Sequence, residues 1–178
     1  MSSFAKTAVG FLTITSTILL NGCMHSSELA ATVASASLLN AQNEDSGSAT
    51  ILNDAGRMIL KIDARGVPAG THGIHIHQVG KCDAPSFESA GPHWNPSGRK
   101  HGLSNSAGPH AGDIPNIQAS STGSVKTSVS LQIASEIGSI FDVDGAALVI
   151  HATADDNVTD PSGNSGSRIL CGVFNATN

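Results

Sequence analysis

The chain has 178 residues, enough for one domain with a buried core. Aromatic residues make up only 3%, Tyr is absent and Gly fills 19 positions, so small and β-branched residues dominate the apolar set, which favours a tightly turned all-β domain over a helical bundle. The net charge of -5 contains no block of like charge, which excludes a surface built for nucleic acid and leaves any attraction for an anion to individual cations.

Residues 1–22 read as an export signal. Lys6 supplies a positive start, TAVGFLTITSTILL an apolar run, and a small residue precedes Cys23. The run is too short and too interrupted to favour a spanning helix. Leu20-Asn21-Gly22-Cys23 resembles the lipobox of bacterial lipoproteins, in which the cysteine becomes the new N-terminus and is acylated. The other reading is a plain secretory signal with an incidental cysteine. Residues 23–28 then form a tether, with His25 solvated, and residues 29–178 the folded domain. Removing 1–22 takes away Lys6 and no acid, leaving 8 basic against 14 acidic residues, a net charge of -6.

From Glu28 onward, short β-prone runs alternate with turn signals at the spacing of an antiparallel sandwich or barrel. LAATVASASLL is followed by the polar break NAQNEDSG, then by SATILN and the turn DAG. In RMILKIDARG, Met58, Leu60 and Ile62 fall on one face and Ile59, Lys61 and Asp63 on the other. Val67-Pro68-Ala69-Gly70 turns the chain into THGIHIH, where His75 and His77 share a face opposite to Ile74 and Ile76. From Val79 to Ile117 the strand pattern stops in a stretch rich in Gly, Pro, Ser and Asn. A segment of that length without a strand of its own needs something to order it, and a metal ion together with a tether at Cys82 would do so. Further strands are expected at Ser124 to Ile133, Ala146 to His151 and Arg168 to Phe174.

Seven side chains have the chemistry of metal ligands. His93, His101, His110 and Asp113 lie in the long loop and make a closed tetrahedral set of the kind that holds a structural zinc. His75 and His77 lie on one strand and His151 ends another, and imidazole donors suit zinc or copper. One ligand shared between the two groups would complete a second four-coordinate centre. His72 falls on the opposite parity to His75 and reads as a structural histidine bonded to backbone, and Trp94 as a packing aromatic beside His93. Taken singly, Asp113 would be a surface carboxylate and Asp155 part of an acidic turn with Asp156. If Cys23 is lipidated, Cys82 and Cys171 remain as a pair in an exported, oxidising setting, as a disulfide or as two buried thiols.

The strings HGIHIHQVGKC, SAGPHWNPSGRKHG, GPHAGDIPNI, LVIHATADD and GNSGSRILCGV, in this order, resemble the successive signatures of the copper/zinc superoxide dismutases over about residues 29 to 175. The GKC turn, with Cys82 five positions after His77, resembles the bacterial, periplasmic type. The resemblance implies an eight-stranded Greek-key β-barrel or sandwich with a long metal-binding loop and a shorter active-site loop. It implies copper on His75, His77, His93 and His151, zinc on His93, His101, His110 and Asp113, and His93 as the shared ligand. It further implies that Asp155 links a copper histidine to a zinc histidine, that Arg168 receives the anion beside copper, and that Cys82 and Cys171 form a disulfide. The implied activity is dismutation of superoxide to dioxygen and hydrogen peroxide by a redox-cycling copper, with His93 taking up and returning a proton. The implied location is the periplasm or cell envelope of a bacterium, lipid-anchored through Cys23, as a monomer or homodimer. Asp156 to Ser167 is short and has no lysine, so steering of the anion falls to Arg168 and to Lys81, Arg99 or Lys100. The alternative is a non-catalytic exported copper/zinc-binding module, because a fold can outlive its chemistry. A purely structural exported β-domain would leave the spacing of the ligands unexplained.

Overall fold

A computed structural model describes Met1 and residues 30–133 and 137–177. The expected signal segment, the acylated Cys23, the tether with His25 and the start of the domain at residue 29 lie outside the described residues. Among the described residues nine strands follow in chain order: β1 (Ala31–Asn40), β2 (Asp45–Asp54), β3 (Arg57–Ala64), β4 (Gly70–His77), β5 (Asp113–Ala119), β6 (Val125–Leu131), β7 (Ala147–His151), β8 (Arg168–Val173) and the two-residue β9 (Asn175–Ala176). Eight of them form one antiparallel sheet in the order β5-β4-β7-β8-β1-β2-β3-β6, and β9 adds to β1. β5 and β6 meet across the remaining seam without a shared ladder, so the barrel is nearly closed. The crossings from β3 to β4 and from β6 to β7 make it a Greek key.

Local sequence explains most of these elements. In β3 the buried residues are Met58, Leu60, Ile62 and Ala64, the parity expected of a half-buried strand. The β2–β3 hairpin turns at Ala55-Gly56, both with positive φ (49° and 87°), the conformation that keeps the twist of the flanking strands. The barrel interior is filled from all sides, with Leu38, Ile51, Leu60, Ile74, Ile76, Ile114, Leu148 and Ile150 at 0–1% exposure.

β5 corrects the expectation of a strandless stretch from Val79 to Ile117. Its buried residues Ile114 and Ile117 stand three apart and hide the period of two. The cause is a register shift opposite β4, where His72 faces Ile117 and Ile74 faces Ile114, so that two residues oppose one. Pro115 sits in this strand because β5 is an edge. As a result Asp113 is the first residue of a strand rather than a loop residue.

β4 and β7 are buried on both faces. Ile74, Ile76, Leu148 and Ile150 point inward, whereas His75 pairs with Val149 and His77 with Ala147 on the outer face, which continues to His151. Two connections cover that outer face: residues 78–112 after β4 and residues 152–167 after β7. The first is fastened by a bridge between His77 and His93 and by the Trp94 N–H donating to the Ile76 carbonyl (2.8 Å). It is also fastened by the Cys82–Cys171 disulfide, with Cα atoms 5.6 Å apart, above a small apolar cluster of Phe87, Ala90, Ala147 and Val149. Trp94 is 5% exposed and packs with the main core.

Leu60 is wholly buried at the centre of a strand. Leu60→Ala is expected to lower stability by about 2–5 kcal/mol through lost burial and the cavity left behind, read from denaturant unfolding at fixed metal content.

Candidate metal centre

The outer face of β4 and β7 carries the candidate centre. His75, His77, His93 and His151 are all buried, and one donor atom of each lies within 4.8 Å of the others. The orientation of each ring is set by its other nitrogen. His75 Nε2–H donates to Asp155 Oδ2 (2.6 Å), His77 Nδ1–H to the Gly91 carbonyl (2.8 Å) and His151 Nδ1–H to the Gly166 carbonyl (3.2 Å). This leaves His75 Nδ1, His77 Nε2, His93 Nε2 and His151 Nε2 buried with no hydrogen-bond partner. An unsatisfied buried polar atom costs about 1–3 kcal/mol. Four such nitrogens converging as free lone pairs are the donor set of a cation, and imidazole donors suit copper or zinc.

A second set surrounds Asp113. The Nδ1 atoms of His93, His101 and His110 lie 3.0, 3.0 and 3.3 Å from Asp113 Oδ1. Asp113 Oδ2 is occupied, accepting the backbone N–H groups of Gly102 (2.8 Å) and His110 (2.9 Å), so Oδ1 is its available donor. His75 also falls within reach of this set because its ring stacks on His93, with centroids 3.8 Å apart. Its Nε2 is already held by Asp155, and its free Nδ1 belongs with the first set. His93 alone turns one nitrogen to each set.

Asp155 ties the two sets together. It accepts from His75 Nε2 and, at 3.0 Å, from His101 Nε2. Asn116 of β5 clamps the Asp155 backbone on both sides, at 2.8 and 2.9 Å. Gly163 lets the loop pass close by: a Cβ there would stand 1.8 Å from Asp155 Oδ1 and 2.6 Å from His101 Nε2. Nothing in the sequence marked Asn116 or Gly163 for this role.

The electrostatics separate the sets. Burial pushes the His77, His151 and His93 pKa values down to about 2, 3 and 4, and that of His75 down as well, which keeps these rings neutral and ready to bind. Burial also works against His101, but hydrogen bonds to Asp113 and Asp155 overcome it and raise its pKa to about 9. Burial would raise both carboxyls, yet hydrogen bonds led by His101 hold Asp113 and Asp155 well below the usual range.

The remaining sequence-identified residues are distributed around these sets. Arg168 donates to the carbonyls of Phe87 (2.6 Å) and Gly91 (2.7 Å), and Gly91 is the same carbonyl that receives His77. With Glu88 it supplies the charged groups lining a cavity of about 690 Å³ whose walls include Asn40, Pro68 and Gly166. His72 is structural, its two ring nitrogens facing the carbonyls of His151 (2.8 Å) and Pro68 (2.7 Å). Arg99 is turned to the Gly108 carbonyl and Lys100 is paired with Asp160, so neither lines the Arg168 cavity; Lys81 is exposed and also does not line it.

The family model for copper/zinc superoxide dismutase matches residues 45–174. The chain belongs to the copper/zinc superoxide dismutase family. It is 42% identical over 146 residues to Cu-Zn superoxide dismutase 2 of Aquifex aeolicus, covering 79% of this chain and 85% of that one. It is 36% identical over 137 residues to the Cu-Zn superoxide dismutase of Caulobacter vibrioides, covering 74% and 79%. Among solved structures, a superoxide dismutase-like protein from Bacillus subtilis superposes with a TM-score of 0.75 at 38% identity, covering 80% of this chain and 99% of that one. The Cu/Zn superoxide dismutase of Brucella abortus shares the fold with a TM-score of 0.64 at 23% identity, over 79% and 98%. Copper and zinc are the metals of the family, and the two donor sets fit a pair of such ions.

Gly163→Ala is expected to displace Asp155 from His101 and to weaken metal binding at the Asp113 set by about 10- to 100-fold, measured by competition with a chelator. The metal-free protein should also show opposed pH dependences. The depressed histidines His77, His93 and His151 contribute stability that is present above about pH 6.5 and lost as pH falls toward 4 and below, because the unfolded chain then binds more protons. His101 contributes stability that is full below about pH 6.5 and lost as pH rises through about 9. Denaturant unfolding of metal-free protein from pH 4 to 10 should therefore show a maximum near pH 6 to 7.

Proposed function

We propose that this chain dismutates superoxide to dioxygen and hydrogen peroxide, holding copper on His75, His77, His93 and His151 and zinc on His93, His101, His110 and Asp113. The observation that carries this reading is the His93 ring, with Nδ1 at Asp113 Oδ1 and Nε2 free among three other free imidazole nitrogens. Bound copper supplies the one-electron exchange that zinc, having no redox chemistry, does not.

The chain's own residues supply the rest. Arg168 draws in the anion. Two carbonyls hold its guanidinium, and among the described residues Glu88 is the carboxylate that shares its cavity. Because Gly91 anchors both Arg168 and His77, the cation that meets the substrate and the ring beside the redox centre keep a fixed relation. The Cys82–Cys171 disulfide secures the loop that supplies the two carbonyls. His93 holds a proton at Nε2 in one half of the cycle and returns it in the other, when the second superoxide, taking its second proton from solvent, becomes hydrogen peroxide. Its other nitrogen stays with Asp113. Asp155 keeps His75 and His101 from rotating.

The same proposal places residues 1–22 as a cleaved export signal, residues 23–28 as a tether and residues 29–178 as the enzyme domain. Bacterial enzymes of this family are typically periplasmic, and a disulfide fits an oxidising compartment. An anchor through an acylated Cys23 is the reading of the lipobox-like LNGC.

Arg168→Ala in the copper- and zinc-loaded protein is expected to lower kcat/KM for superoxide by about tenfold or more and to flatten its fall with rising salt, with metal content unchanged. Pulse radiolysis at several ionic strengths, alongside metal analysis, checks this. Wild-type protein that holds copper and zinc yet consumes no superoxide would establish the non-catalytic binding module instead.

A further inference from the structure

Each histidine around Asp113 turns Nδ1 toward Asp113 Oδ1 and its second nitrogen elsewhere. His93 Nε2 enters the copper-side set, and His101 Nε2 donates to Asp155. His110 Nε2 has the carboxylate of Asp160, with Oδ1 at 4.0 Å. That separation is an electrostatic contact rather than a direct hydrogen bond. The same Oδ1 accepts the backbone N–H of His101 at 2.8 Å, and Oδ2 accepts Lys100 Nζ at 3.0 Å. One carboxylate of the 152–167 connection is thus met by three groups of the 78–112 connection, two of them on histidines of the Asp113 set.

We propose that Asp160 is a positioning residue for the metal at Asp113, orienting His101 and His110 and so setting how slowly that metal leaves. The proposal rests on the reading of the Asp113 set as the zinc site. A ring that gives Nδ1 to a cation becomes more positive at its Nε2–H edge, and a carboxylate facing that edge at 4.0 Å favours the bound state electrostatically. The His101 N–H fixes the main chain of a second ligand to the same oxygen. The Lys100 contact is of a different kind. Its side chain is 62% exposed, and an exposed ion pair adds little, so the effect of Asp160 lies on its histidine side.

The experiment compares wild type, Asp160→Ala, Asp160→Asn and Lys100→Ala, each loaded with copper and zinc. Zinc release is followed with a chromogenic chelator, and the visible spectrum is recorded with cobalt(II) in place of zinc. Asp160→Ala should release zinc about 10- to 100-fold faster and shift the cobalt bands. Asp160→Asn, which keeps an acceptor for the His101 N–H but loses the charge, should fall between, and Lys100→Ala should stay near wild type. Unchanged release and an unchanged cobalt spectrum in both Asp160 variants would overturn the proposal. So would a Lys100→Ala effect equal to that of Asp160→Ala, because the ion pair between the loops would then be responsible. Wild-type protein that takes up neither zinc nor cobalt would overturn the zinc-site reading itself, and this proposal with it.

Discussion

Buried imidazole nitrogens with no hydrogen-bond partner are the constraint on which the rest of the molecule depends. His75, His77, His93 and His151 each present one such nitrogen to a common point, and His110 presents another beside Asp113. Each orphaned group costs the folded chain about 1–3 kcal/mol, a cost that a cation completing the set would offset. The two long connections close over the outer face of β4 and β7 to form that environment. Their irregular sequence makes sense once the two ions are counted among the forces that order them.

The barrel and the loops divide the work. The interior of aliphatic side chains gives β4 and β7 a rigid frame, so that three histidines are placed by strand parity alone. The remaining candidate donors come from the loop, or from β5 where the loop ends, and need outside support. The disulfide and the Gly91 carbonyl secure one end, Asp155 and Asn116 the middle, and Asp160 the far side. Gly163 is demanded by proximity, since its missing Cβ is what lets the second connection lie against Asp155 and His101.

Charge is organised on the same local scale. The protein is acidic overall, and the cation at the wall of the cavity beside the His75 set is Arg168, whose charged companion in that lining is Glu88. Both donor sets are tuned by the balance of burial against carboxylates. Where burial dominates, the rings stay neutral; where Asp113 and Asp155 flank a ring, as at His101, it is held positive in the metal-free protein.

Sequence alone determined the all-β class, the parity that sets His75 and His77 against Ile74 and Ile76, and the family, and it named seven candidate donors that the fold gathers on one face, because each is a matter of local period or of short motifs that survive without their surroundings. It missed β5, because a register shift breaks the period of two between Ile114 and Ile117, and with it the strand that holds Asp113 in place. It offered Lys81, Arg99 or Lys100 beside Arg168 as steering cations without saying which faces the channel; in the fold Arg99 is turned to the Gly108 carbonyl and Lys100 pairs with Asp160. Only tertiary structure decided which nitrogen of each ring is free, that His93 faces both sets, and that Asn116, Asp160 and Gly163 lie against Asp155, His101 and His110. Those properties come from contacts between segments far apart in the chain, and a linear pattern carries no record of which partner a side chain meets once the strands have closed.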